Sequence, residues 1–233
     1  MTESGRICYT YFMQKYTILF YGPPGAGKGT QAENATHKYG FVHFDSGKYI
    51  EKIIHTPSLQ KNKIIQKQRE LFLSGKLADP AWFGAEVKKH IKEMASRGES
   101  LVMSGSPRTM EEAFELKNGG IADDLIKNYG LKNILIIFLD IPVAESVKRN
   151  SKRGRIGLDE PAVIRVRCRE YKKRTLPVIS EMKKRGIKVV KINGNFPRGV
   201  VAKMVLKEIK SFLQCQKSNP QKILSCSRCQ GIS

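Results

Sequence analysis

The sequence predicts an α/β fold, a parallel sheet wrapped on both sides by helices. Three observations lead there. Short apolar runs, above all Tyr16 to Tyr21 and Ile134 to Leu139, are long enough for one buried strand and too short for a helix of ordinary length. Segments of helical period alternate with them along the chain. Every polar motif that stands out follows directly on such a run, at the strand end where ligands gather in open parallel sheets.

Taken in order, residues 1–14 read as a short irregular leader. A first strand covers Tyr16 to Tyr21, and helix-compatible sequence runs from Gly27 to Tyr39. Phe41 to Phe44 leads into Asp45-Ser46-Gly47, followed by helices at about Lys48 to His55 and Gln60 to Ser74. Pro80 to Ser96 spaces Phe83, Val87, Ile91 and Met94 on one helical face, with a proline suited to the first turn. Ser100 to Ser104 is a short buried strand, and Ile134 to Leu139 the clearest one. Glu160 to Arg185 is a long basic helical stretch interrupted near Pro177; Lys188 to Ile192 is the last strand, and Val200 to Leu213 a final amphipathic helix. The tail, 214–233, is polar and irregular and reads as a disordered appendage. Its Cys226 and Cys229 have metal-ligand spacing, but a structural zinc needs four ligands and only Cys215 is near, so no metal site is expected.

Composition narrows the class. At 233 residues and 40% hydrophobic, the chain can bury one sizeable core. No apolar run reaches the roughly 18–20 residues of a membrane span, and Met1 to Arg6 lacks the pattern of a secretory signal. Five irregularly spaced cysteines form no disulfide framework. A cytoplasmic protein is expected. The net charge of +21 favours anionic partners, and sixteen Lys/Arg against five Asp/Glu fall between Ile141 and Ile192. A few arginines handling phosphates and many lysines facing water account for that. A nucleic-acid partner is disfavoured, because no basic strand is interleaved with aromatics.

The most informative stretch is Gly22-Pro23-Pro24-Gly25-Ala26-Gly27-Lys28-Gly29-Thr30, set between the first strand and the first helix. Glycines let backbone N–H groups converge on an anion, and the helix behind presents its positive end. Lys28 reaches over the outer phosphates.

Four further features follow in order: Asp45-Ser46-Gly47, then Gly75 to Pro80, then Gly105-Ser106-Pro107-Arg108-Thr109, and last the series Arg149, Arg153, Arg155 and Arg167. Together with the loop these resemble the adenylate kinase family of nucleoside monophosphate kinases, over roughly Thr17 to Leu213. Tyr171, Thr175 to Pro177 and Ile192 to Asn195 are similar to that family's later segments. The resemblance implies a P-loop NTPase-like sheet with small mobile segments, an acceptor-binding one at 45–75 and a short lid at 150–160. It implies ATP as donor, AMP as acceptor, Mg²⁺ carried with the ATP, and a monomer.

By the same resemblance Gly25, Ala26, Gly27, Lys28, Gly29 and Thr30 would cradle the donor phosphates, with Arg149, Arg153 and Phe196 on the donor side. Arg108 would hold the acceptor's phosphate through its guanidinium fork. Arg155 and Arg167 would neutralise the group in flight, and Lys28, Arg108, Arg153, Arg155 and Arg167 would form the catalytic set. Ser46, Glu51, Lys76, Leu77, Ala78, Gly105, Ser106, Pro107 and Glu112 would line the acceptor pocket. The lid is too short for the metal-binding hairpin of long-lid members.

The departures fall in the acceptor and metal regions. Lys48 and Ser104 stand where the family has acidic residues that help orient magnesium waters, with Asp45 or Asp140 as substitutes. Glu51 replaces an arginine, and Arg155 is one residue off register. Glu112 replaces a base-reading glutamine. A carboxylate accepts from an amine but donates nothing unless protonated, and it suits the two donors of guanine. Thr109 favours the adenylate branch. AMP is therefore the expected acceptor, with GMP or relaxed preference as the alternative and a weakly active nucleotide-binding homologue behind it. Shikimate and gluconate kinases share the loop but not the later pattern.

Overall fold

The computed structural model describes residues 14–155 and 158–217. Residues 1–13, the lid positions 156–157, and Cys226 and Cys229 lie outside the described residues.

Five parallel strands form one sheet in the order β2-β3-β1-β4-β5: β1 Thr17–Tyr21, β2 Val42–Asp45, β3 Leu101–Ser104, β4 Ile134–Asp140 and β5 Lys188–Asn193. Strand β1 lies in the middle because its residues are apolar on both faces. Leu19 and Tyr21 enter one core, and Ile18 and Phe20 the other. On the first face they meet Phe83, Val87 and Ile91 of α4 (Pro80–Ser96), Leu125 of α5 (Ile121–Tyr129), and Val178 and Met182 of α8 (Leu176–Lys184). On the second they meet Ala32 and Ala35 of α1 (Lys28–Tyr39) and Val201, Val205, Ile209 and Phe212 of α9 (Arg198–Lys217). Each such large side chain, once fully buried, contributes about 1.5–3 kcal/mol.

Most elements fall where the sequence puts them; the differences have physical reasons. Asp45 caps α2 (Ser46–Ile54), accepting from the N–H groups of Gly47 and Lys48, so this helix starts two residues before the expected Lys48. Asn62 does the same for α3 (Lys63–Leu73). The basic stretch after 160 is interrupted near Pro177, as expected, and the break lies just before the proline. Helix α7 (Pro161–Glu170) runs into a π-turn at Tyr171–Thr175, and α8 follows. A proline lacks the N–H for the preceding turn, and the widened turn absorbs the mismatch. Helix α9 continues to Lys217, so residues 214–217, expected in the irregular tail, are helical, and Cys215 lies exposed on that helix. Among the described residues no helix is long and apolar enough to cross a membrane.

Two helices and one strand were not expected. Strand β2 forms because Phe41 to Asp45 can pair beside β3. Helix α6 (Val143–Arg153) buries only Ser146 and Asn150, so no apolar period announces it. Helix α5 does carry apolar spacing (Ile121, Leu125, Tyr129).

Candidate active site

The carboxyl ends of β1, β3 and β4 meet at the topological switch point, and an open cleft of about 780 Å³, mouth included, lies above them. Its floor begins at the glycine-rich loop. Gly22, at φ 151°, comes so near β4 that a Cβ would stand 2.4 Å from the Leu139 carbonyl oxygen. Gly25, at φ 76°, is equally confined: a Cβ would meet Asn150 Nδ2 at 2.6 Å. Ala26 N–H turns back to Pro23 O at 3.1 Å, and Gly27 opens α1 in a left-handed conformation. The loop therefore ends on the N-terminus of a 12-residue helix, whose free N–H groups favour anions.

Helix α6 fixes the loop from behind. Ser146 Oγ donates to Pro24 O at 2.5 Å, and Asn150 Nδ2 donates to Ser146 O at 2.7 Å. Neither residue was legible as a functional one, because small polar side chains in a basic segment give no signal.

Lys28 folds over the loop, its Nζ donating to the carbonyls of Gly22 (2.8 Å) and Pro23 (3.0 Å). Burial, then the charges of Arg108 and Arg167, push its ammonium down to about 7; Asp45 opposes the shift. Arg108 follows β3 and lies against the Gly105 carbonyl and Ser46 Oγ (3.4 Å). Only glycine fits at 105, since a Cβ there would meet Arg108 Nη2 at 2.5 Å and Ser46 Oγ at 2.6 Å. The main chain of Arg108 is pinned as well: its N–H donates to Glu112 Oε2 at 2.7 Å, and its carbonyl accepts from Thr175 Oγ1 at 3.1 Å.

On the far wall Asp159 gathers three arginines. Its carboxylate accepts from Arg153 Nε (2.9 Å) and Nη2 (2.6 Å) and from Arg155 N (2.9 Å), and stands 3.7 Å from Arg167 Nη1. Burial works against this carboxyl, but the bonds from Arg153 and Arg155 hold it below the usual range. Arg167 is itself lowered to about 10, by burial and then by Arg108, Arg155 and Arg153. So Lys28, Arg108, Arg155 and Arg167 converge on one cleft while repelling one another. A compact polyanion is the ligand that relieves this.

Other expected site residues are placed as follows. Gly105, Lys76 and Leu77 line the cleft with the cations. Ser46 lies directly behind Arg108, its hydroxyl donating to Ser104 O. Glu51, on α2, stands 3.8 Å from Arg155 Nη1 across the opening. Arg153 is turned to Asp159 and Asn150, and Arg149 is paired with Glu145 at 2.7 Å beside Gly25. Ala26 is buried; Gly29 and Thr30 form the first turn of α1. Ala78, Ser106, Pro107 and Glu112 do not border the cleft. Ala78 packs on the core, Ser106 and Glu112 are buried, and Pro107 O accepts from Tyr21 Oη. Phe196 is exposed on the turn between β5 and α9. Tyr171, Thr175 and Leu158 also line the cleft.

A family model described as adenylate kinase matches residues 20–187. The chain belongs to the adenylate kinase family. It is accordingly a nucleoside monophosphate kinase, a transferase, with an adenylate kinase-like phosphotransferase site on a P-loop sheet. An adenylate kinase of Encephalitozoon cuniculi is 33% identical over 198 residues, covering 84% of this chain and 99% of the relative. One from Prochlorococcus marinus (strain NATL2A) is 32% identical, again over 84% of this chain and 99% of its own. A third, from Kosmotoga olearia, is 26% identical over 83% of this chain.

Proposed function

We propose that the chain moves the γ-phosphoryl group of ATP to AMP, giving two ADP, as a cytoplasmic monomer. The observation that carries this is the set of four mutually repelling cations, Lys28, Arg108, Arg155 and Arg167, around one cleft. Phosphoryl transfer asks little covalent work of a protein. Positioning and neutralisation of the equatorial oxygens supply most of the rate.

The loop from Gly25 to Thr30 cradles the donor phosphates, and Lys28 exchanges its loop carbonyls for the β and γ oxygens. Arg149 and Arg153 support the donor side, with Phe196 at the base. Arg108, braced by Ser46, holds the acceptor phosphate, and Arg155 and Arg167 face the group in flight. Residues 45–75 act as the acceptor-binding segment and 150–160 as the lid that excludes water, within a kinase domain of 15–213. Magnesium accompanies the ATP and supplies charge neutralisation between its phosphates. The residues fit a hydrated ion held mainly by the nucleotide. Among the described residues no group of three or more His, Cys, Asp and Glu could bind a metal, yet Asp45 lies beside the loop.

GMP is the second acceptor to consider, because of Glu112. Burial raises its carboxyl to about 7; Arg108 and Arg174 pull the other way, and Glu111 pushes it further up. In this structure it is buried on the Arg108 N–H and does not border the cleft, so it must turn toward the acceptor before its carboxylate could meet guanine's two donors. Coupled ADP formation from MgATP with AMP, GMP, CMP and UMP, at pH 6 and 8, tests both readings. No ADP with any acceptor would sink the kinase reading, and strict AMP use at both pH values would remove GMP.

A further inference from the structure

A magnesium–nucleotide site gains from an oxygen on the protein side of the ion, and three places that could provide one do not. In commoner phosphate loops the residue after the lysine is Ser or Thr, whose hydroxyl reaches the ion. Here it is Gly29. Lys48 turns its ammonium to Glu33 of α1, at 2.8 Å. Ser104 has its hydroxyl on His43 Nε2, at 2.9 Å.

Asp45 faces the gap they leave. It is the register partner of Ser104 in the parallel β2–β3 pair. Its Oδ1 accepts the N–H groups of Gly47 (2.9 Å) and Lys48 (3.1 Å), which fixes the side chain. Its Oδ2 is thereby directed at the loop, 3.5 Å from where a Cβ on Gly29 would lie. A carboxylate oxygen thus abuts the very position a hydroxyl-bearing side chain would fill. Among the described residues Asp45 is also the acid whose charge acts on Lys28, against those of Arg108, Arg167 and Arg153. Asp140, the other strand-end carboxylate, is engaged by Lys191 at 2.8 Å.

We infer that Asp45 Oδ2 orients the hydrated divalent ion that accompanies the nucleotide phosphates, acting from the neighbouring strand in place of a loop hydroxyl. Asp45 is a positioning residue, and this inference rests on the phosphoryl-transfer reading of the cleft. The test is D45N in the full chain. Asparagine caps a helix about as well as aspartate, so α2 is kept while the charge is removed.

ATP is titrated calorimetrically in EDTA and in MgCl₂, and MnCl₂ is followed by electron paramagnetic resonance in the ATP complex. In D45N the strengthening of ATP binding by metal falls about tenfold, as for other lost outer-shell partners. Affinity in EDTA stays the same or rises, since a carboxylate facing the phosphates is gone. S104D added to D45N returns the metal effect from the adjacent strand. The inference is overturned by an unchanged metal effect in D45N, by equal weakening with and without metal, or by a D45N/S104D chain that stays low. If the parent chain binds no ATP in either condition, the reading of the cleft itself falls, a result distinct from these.

Discussion

At pH 8, ATP binding draws nearly one proton into the protein, and Lys28 is where it goes. Among the described residues the hydrogen-bond acceptors of this ammonium are the neutral carbonyls of Gly22 and Pro23, and it is held at about 7. A group with that value carries about 0.1 proton at pH 8; beside a polyphosphate it returns toward the ordinary lysine value near 10 and carries about one. The uptake is then about 0.9 proton at pH 8 and about 0.5 at pH 7. Two other groups add little. Arg167, at about 10, is already charged at pH 8. A terminal phosphate that titrates near pH 6 is already ionised. Calorimetric titrations in two buffers of different ionisation heat give the proton number from the slope of apparent enthalpy against buffer heat. K28R keeps its charge at every accessible pH and so binds ATP without uptake. Zero uptake at pH 8, or the same uptake in K28R, would refute the reasoning.

Three other outcomes are expected. The Glu112 carboxyl keeps its proton up to about 7 when folded and loses it near 4.5 when unfolded, so stability declines as pH rises between those values. E112Q, whose amide oxygen can still accept from Arg108 N–H, therefore stabilises by about 3 kcal/mol above pH 7 and by nothing below about 4.5 in urea unfolding; a gain independent of pH contradicts this. E51R replaces the carboxylate facing Arg155 with a second phosphate-binding fork, and the acceptor KM drops about tenfold while the KM for ATP holds. D159N leaves Arg153, Arg155 and Arg167 without their common anchor, and kcat falls about 100-fold, as for small misplacements of catalytic groups; a kcat within twofold of the parent would show that the arginines hold their places unaided.

Much of the architecture could be read directly because its determinants are local. The strands of Ile134 and of Tyr16 are apolar on both faces, and the glycine-rich loop needs φ values that only glycine adopts cheaply. Lys28 was accessible from its glycine-rich loop, and Arg108, Arg155 and Arg167 came into view only through the resemblance to the adenylate kinase family. What could not be read depends on contacts across the sheet. Ser146 and Asn150 matter only because α6 comes to rest on Pro24 and Gly25, more than a hundred residues earlier in the chain. Asp159 likewise matters through what the fold brings to it, since its carboxylate holds three arginines. Glu112 was expected in the pocket wall; its pairing with the Arg108 N–H draws it beneath the surface instead. The direction of Asp45 follows from a helix cap, which a carboxylate in a short apolar strand does not disclose.

Helix α6 has a mechanical consequence. It is clasped to the anion cradle through Ser146, in its first turn, with Asn150 packed beside Gly25, and it ends on Arg153. Cradle and arm are therefore two ends of one stiff rod, and tilting either disturbs the other. Gly154, left-handed at φ 68° and with open space where a Cβ would stand, is the first joint beyond the rod. A bulkier residue at that joint would strain its left-handed backbone while leaving the rod and its clasp on the cradle untouched.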